Sequence, residues 1–219
     1  MMTDYSKELI HTENIFTIRL ITESDVSEVL EIYKPYVLNT IISFEYDAPS
    51  VEEYLQRIKT ITAEYPWLVC SQGNKIIGYA YAGKHRYRTA YQWSPESTVY
   101  LSPEVHRKGI ARILYETLFS ILRLQGYFNV YAGIGLPNEK SVRFHKALGF
   151  EEIGIFKKVG YKFGNWHDTQ WFQFNLIKHI ENPPVPKTIK EIENNSDFKT
   201  ILILANEQMK NISIHQTNN

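Results

Sequence analysis

Ser97-Thr98-Val99-Tyr100-Leu101-Ser102-Pro103-Glu104-Val105-His106-Arg107-Lys108-Gly109-Ile110-Ala111 reads as a strand that hands over, through a short basic loop, to a helix. The run Ser97–Leu101 is rich in β-branched and aromatic residues, as strands are. Beyond the loop, Ile110, Ile113, Leu114, Leu118, Ile121 and Leu122 recur at helical spacing, and Gly126 is placed to end the helix. At such a junction consecutive backbone N–H groups point the same way, and the helix N-terminus carries about half a positive charge. Gly109 lets the backbone approach a ligand closely, Ala111 adds little bulk, and Arg107 and Lys108 add charge at the rim. The chemistry is that of a cradle for phosphate or pyrophosphate. It is not a P-loop and not a dinucleotide fingerprint, because neither glycine spacing occurs.

On the N-terminal side, Phe16–Ile21 alternates like a strand. Thr22 to Asp25 is a capping box, and Val26, Val29, Leu30, Tyr33 and Val37 follow at helical spacing. Ser50 to Glu53 is a second capping box, with Val51, Leu55, Ile58 and Thr62 as the expected inner stripe. Trp67–Ser71 and Ile76–Ala82 are strands joined by a turn at Gln72–Lys75. A polar, aromatic loop runs from Gly83 to Trp93. On the C-terminal side, Phe128–Ile134 is a strand, Pro137-Asn138 opens a short helix that Gly149 ends, and Phe150–Val159 and Thr169–Ile177 form a strand pair around a Gly/Trp/His loop. Pro183–Pro186 closes the domain. The expected organisation is a flexible leader over 1–14, one α/β domain over 15–186, and an extension over 187–219. That extension is expected to be poorly ordered or to dock a partner, with a short helix or strand at Ile201–Leu204.

The chain has 219 residues, which suits one domain with a tail. Lys+Arg and Asp+Glu both number 24, so no basic excess exists to hold a nucleic-acid backbone. The hydrophobic fraction of 43% is enough for a packed core. Cys70 is the one cysteine, which excludes an internal disulfide and any multi-Cys metal site. The histidines lack metal-ligand spacing, so no metal is expected. No apolar run approaches the roughly 18 residues that span a bilayer, and the N-terminus has no apolar signal core. A cytoplasmic protein without membrane or nucleic-acid partners is expected.

The order of strand, His106-Arg107-Lys108-Gly109-Ile110-Ala111, long helix, strand, Asn138-started helix and Gly149-Phe150 resembles the GNAT superfamily of acyl-CoA-dependent N-acyltransferases. His106 stands where that superfamily usually has Gln or Arg. Tyr65–Val69, Gly78–Gly83, Ala90-Tyr91, Glu96–Tyr100, Gly135–Asn138 and Gly164–Asp168 are further similar to the phosphinothricin/methionine sulfoximine acetyltransferase family, in the right order from about Ile18 to about Pro186. The resemblance implies an α/β GNAT fold, a central, mostly antiparallel mixed sheet flanked by helices. It also implies acetyl-CoA as co-substrate, a small amino acid or amine acceptor, and a homodimer. Drug or herbicide resistance is a role known in that family and leaves the native amine open.

Acetyl transfer to an amine needs a base, a polarised thioester carbonyl, an acid for the leaving thiolate, and both substrates held in line. Glu96 matches the family's proposed base. The resemblance assigns carbonyl polarisation and the pantetheine arm to the backbone of Val99, Tyr100 and Leu101. It assigns the pyrophosphate to Arg107, Lys108, Gly109, Ile110, Ala111 and Arg112, and a further CoA contact to Asn138. Asn138, Ser141, Val142 and His145 share one helix face. His145 stands where related enzymes often carry a Tyr near the leaving sulfur, so it is either that acid or a packed core residue. Arg86 and Arg88 are candidates for an acceptor carboxylate, with Phe44, Trp93, Ser97, Thr98 and Trp166 about the pocket. His167 and Asp168 are adjacent on the chain and point apart if they lie on a strand. Cys70 reads as a buried filler. An unrelated small amine as acceptor, and a catalytically silent CoA-binding module, are the competing readings.

Overall fold

The computed structural model describes residues 15–217, with side chains through residue 213; the expected leader over 1–14 lies outside the described residues. Seven strands form one sheet in the order β1-β2-β3-β4-β5-β7-β6. They are β1 (Phe16–Leu20), β2 (Trp67–Gln72), β3 (Lys75–Lys84), β4 (Pro95–Leu101), β5 (Asn129–Gly135), β6 (Glu151–Lys162) and β7 (Asn165–Asn175). Neighbouring strands run antiparallel except β4 and β5. Those two run parallel and meet at one register position, Glu96 opposite Tyr131. The helices are α1 (Val26–Asn39), α2 (Val51–Thr62), α3 (Ile110–Gln125), α4 (Glu139–Ala147), α5 (Ile189–Ile192) and α6 (Ser196–Thr217). The expected mixed, mostly antiparallel sheet flanked by helices is what forms.

Two cores lie on opposite faces of the sheet. One joins α1 and α2 to Trp67, Val69, Ile76 and Tyr79. The other joins α3, α5 and α6 to Leu68, Ile77, Val130 and Phe172. The period-2 alternation of β2 and β3 feeds both layers, so each strand is apolar nearly throughout. Both capping boxes are formed. The inner stripe of α2 differs from expectation. Tyr54 and Ile58 are buried, whereas Val51, the first residue of the helix, is exposed.

Two further corrections concern the C-terminal half. Trp166, His167 and Asp168 do not lie in a loop. The hairpin turns at Phe163-Gly164, where both residues have positive φ, and β7 starts at Asn165. The extension beyond Pro186 is not a poorly ordered tail. It builds α5 and α6, and Ile189, Ile192, Phe198, Ala205 and Met209 are buried against α3 and β1. Its hydrophobic spacing was masked by the many Asn and Lys residues on the solvent side.

β1 is an edge strand, and α6 covers its open side. The Asn206 side chain accepts from Ile18 N–H at 2.8 Å and donates to Ile18 C=O at 3.0 Å. Ser213 Oγ accepts from Phe16 N–H at 2.9 Å. Two helix side chains thus replace a missing strand and blunt an edge that would otherwise pair with another chain. Replacing Asn206 with Leu keeps the cover but leaves both main-chain groups of buried Ile18 unpaired. Urea unfolding is expected to show a loss of about 2–3 kcal/mol.

Candidate active site

The single contact between β4 and β5 opens a wedge. Ser102 N–H donates to Ile77 C=O at 2.8 Å, and Tyr100 pairs with Tyr79. Residues bonding to one neighbour alternate along an antiparallel strand. Tyr100 therefore faces β3, while the main-chain groups of Val99 and Leu101 face the gap. Leu101 C=O accepts from the Tyr36 hydroxyl and lies 3.3 Å from His106 Nε2. His106 thus ties the basic loop back to the end of β4.

At the wide end of the wedge is the loop before α3. Gly109 caps that helix at φ +84°, and Arg107 also has positive φ, +65°. Among the described residues, the N–H groups of Arg107, Lys108, Gly109, Ile110 and Ala111 donate to no acceptor. A row of free amides at a helix N-terminus is a built anion cradle. A Cβ at Gly109 would meet Ile212 Cδ1 of α6 at 3.2 Å, so the extension packs behind the cradle. Lys108 Nζ lies 5.9 Å from the centre of the Phe16 ring. Arg112 is held by Glu116 and by Ala147 C=O.

Across the wedge, Asn138 caps α4 by accepting from Ser141 N–H at 3.2 Å. A cleft of about 690 Å³ surrounds this helix start and reaches Trp166 and His167. Phe44 stacks on His167 with ring centres 6.3 Å apart, directly over Gly160, where a Cβ would sit 2.6 Å from the ring. That loop is fixed by Lys162, a buried ammonium donating to the carbonyls of Val37, Thr40 and Ser43. Burial lowers the pKa of Lys162, and Glu45 opposes the shift.

Glu96 stands at the closed end of the wedge. Its Oε2 lies 3.3 Å from His85 Nδ1, and its side chain is 36% exposed. His85 stacks on Tyr131 at 4.8 Å and meets Trp171 edge-on at 5.3 Å. Ser97 Oγ, on the opposite face of β4, lies 3.4 Å from Tyr131 C=O.

His145 is 4% exposed and packs among Tyr115, Phe144 and Phe150. Its Nδ1 donates to Ser141 C=O at 2.8 Å, which leaves Nε2 unprotonated, 3.5 Å from the Tyr115 hydroxyl. Burial lowers its pKa, against the Ser141 carbonyl, which raises it.

The other expected pocket residues are dispersed. Trp93 Nε1 donates to Pro184 C=O at 2.7 Å and so anchors the segment leading to α5. Arg86 and Arg88 line a separate pocket of about 320 Å³ with Glu64 and Tyr127. Cys70 is buried, and burial pushes its thiol up to about 12. His167 and Asp168 do point apart: His167 Nε2 bonds Lys162 C=O, whereas Asp168 binds Lys157.

Sequence reading missed His85, Tyr131, Trp171 and the half-buried pair Arg57–Glu45, 2.8 Å apart. His85 was within reach of it. Gly83 pairs with Glu96, and His85 is two residues further on, so strand alternation places it on the Glu96 side.

The residues 18–171 match the family model of the acetyltransferase (GNAT) domain. The chain is 35% identical to phosphinothricin N-acetyltransferase of Streptomyces viridochromogenes over 175 residues, 80% of this chain and 93% of that protein. It is 31% identical to the L-methionine sulfoximine/L-methionine sulfone acetyltransferase of Salmonella typhimurium, covering 74% of this chain and 96% of the other. Its fold matches the crystal structure of a GNAT phosphinothricin acetyltransferase from Sinorhizobium meliloti in complex with acetyl-CoA. The TM-score is 0.72 at 37% identity, covering 77% of this chain and 95% of that one. A strand pair that splays beside a free-amide loop, on a chain so matched, is that of an N-acetyltransferase, and this chain belongs to the GNAT family. The helices α5 and α6 lie beyond the matched domain.

Burial of His145 yields a pH prediction. Unfolded, a histidine titrates near 6.5; folded, His145 titrates lower. The stability gained by keeping it neutral is complete above about 6.5 and falls as pH drops through the window beneath. Melting temperature should therefore decline below that pH in the wild type. The decline should be shallower in His145→Phe, as differential scanning calorimetry across the same pH series would show.

Proposed function

We propose that the protein transfers the acetyl group of acetyl-CoA directly, in a ternary complex, to the α-amine of a small amino acid analogue such as phosphinothricin, methionine sulfoximine or methionine sulfone. One juxtaposition carries the reading: a carboxylate, Glu96, stands at the closed end of a wedge whose open end is a cradle of free amides. The names of the relatives support the acceptor class. Acetyl-CoA supplies an activated thioester. The amides of Arg107 to Ala111 bind its pyrophosphate, with Arg107, Lys108 and Arg112 adding charge. Val99 and Leu101 bond its pantetheine arm as a missing strand would, and Asn138 meets it from the other side.

Glu96 takes the proton from the acceptor's ammonium, and the freed nitrogen attacks the thioester carbon. The Val99 N–H, facing the gap, stabilises the oxyanion. Phe44 walls the acceptor side, with Thr98 on the same sheet face, whereas Trp166 lines the cleft beside Asn138. His145 acts through Tyr115, since its one free nitrogen faces that hydroxyl. No acyl-enzyme forms, because the buried Cys70 thiol is neutral and the described site offers no other activated nucleophile.

Thiol release from acetyl-CoA is measured against phosphinothricin, methionine sulfoximine, methionine sulfone, the standard amino acids and polyamines. Turnover on the first three supports the acceptor class, and turnover on polyamines alone replaces it with an unrelated amine. Binding without turnover points to a silent CoA-binding module. Glu96→Gln is expected to lower kcat at least about 10²-fold while acetyl-CoA still raises the melting temperature. Unchanged turnover would remove Glu96 as base.

The resemblance also implies a homodimer. The β6–β7 hairpin exposes the apolar residues Ile155, Phe156, Val159 and Phe163, and we assign the hairpin to the subunit contact. Light scattering should report two copies for the wild type and one for Phe156→Lys; a wild-type monomer at assay concentration would refute this assignment. Among the described residues no helix is long and apolar enough to cross a membrane.

A further inference from the structure

We infer that His85 is a positioning residue that fixes the carboxylate of Glu96 for proton acceptance; the inference rests on the reading of Glu96 as base. An ionised carboxylate only accepts hydrogen bonds. With Nδ1 3.3 Å from Glu96 Oε2, the imidazole therefore carries a hydrogen on Nδ1, which donates. The ring is clamped. Tyr131 lies parallel to it at an interplanar angle of 16°, and Trp171 meets it at 67°. Only 11% of the His85 side chain is exposed, against 36% for Glu96.

The clamp is not incidental to the wedge. Tyr131 is the residue that bridges β5 to β4 opposite Glu96 itself. The ring that supports His85 is thus carried by the one point where the two halves of the sheet join. Trp171 is held over Gly133, where a Cβ would lie 3.1 Å from its ring. Strands β3, β4, β5 and β7 converge to hold one oxygen of the carboxylate. The other oxygen, Oε1, has no hydrogen-bond partner among the described residues, so it is the one presented to the acceptor. The neighbouring Tyr81 and Tyr115 hydroxyls are buried, which raises their pKa and keeps them neutral.

A free glutamate side chain samples several rotamers, and an orienting donor removes that freedom before the acceptor arrives. The effect belongs to the chemical step, so it should appear in kcat and not in the binding of acetyl-CoA.

Two substitutions at one position separate positioning from packing. His85→Phe keeps a flat ring between Tyr131 and Trp171 and removes the donor. His85→Asn places an amide N–H close to the position of Nδ1 and removes the ring. With acetyl-CoA and L-methionine sulfone as substrates, His85→Phe should lower kcat about tenfold. Its KM for acetyl-CoA and its melting temperature should stay near wild type. His85→Asn should keep most of kcat and melt lower. The reverse pattern, an active Phe variant and an impaired Asn variant, would mean that the ring only packs and would overturn the inference. Glu96→Gln in the same assay separates the two levels. A dead Glu96→Gln beside a fully active His85→Phe refutes the positioning role alone, whereas an active Glu96→Gln refutes the base and the positioning role together. A readout independent of substrate is the ¹⁵N spectrum of the imidazole. It should show the Nδ1–H tautomer in the wild-type protein, and the Nε2–H tautomer there would overturn the assignment.

Discussion

The site depends on the failure of two neighbouring strands to stay paired. β4 and β5 are parallel, and parallel neighbours need a crossover, which α3 supplies. They touch at Glu96 and Tyr131 and then diverge. Buried backbone groups must find partners, and the divergence leaves Val99 at the edge of the wedge without a strand beside it. The same divergence puts Glu96 at the apex and the N-terminus of α3 at the mouth. Glu96 and the amide cradle are therefore set apart by the length of β4.

What surrounds the wedge keeps it from collapsing. The α1–α2 connection is drawn down by Lys162, whose ammonium binds the Val37 carbonyl in the last turn of α1 and the Thr40 and Ser43 carbonyls beyond it, and has no carboxylate partner in the contacts it makes. A lysine there caps the negative end of the helix and places Phe44 over the hairpin at once. On the other side, α6 seals β1 and rests on Gly109. The segment outside the matched domain thus buttresses the cradle from behind, and loosening it would disturb the free amides there.

Much of the frame was legible because it is written in local chemistry. Capping boxes at Thr22 and Ser50, the turn at Gly73-Asn74, and Gly126 and Gly149 as helix ends each require particular residue types, and each appears where expected. The cradle at His106–Ala111 was legible for the same reason. The lost parts are those that depend on distant pairing. The segment beyond Lys84 is a loop, as expected, and its path carries Arg86 and Arg88 to a pocket with Glu64 and Tyr127, away from His85 and Glu96, which local spacing does not reveal. Trp93 was misjudged because its partner, Pro184, is far along the chain. The extension was misjudged because Asn206 and Ser213 look like surface residues until an edge strand lies beneath them.

The arrangement also explains why the sheet face beside Tyr131 is aromatic and glycine-rich together. Gly133 and Gly135 lie on the Tyr131 side of β5, and a Cβ at Gly135 would come within 2.7 Å of Ile41 C=O. The sheet face is thus shaved flat where the α1–α2 connection crosses it, and Phe44 and Trp171 fill the space above. Flat rings over a bare backbone make this part of the sheet face apolar. On the proposed function, the proton of an ammonium arriving there goes to the unbonded oxygen of Glu96.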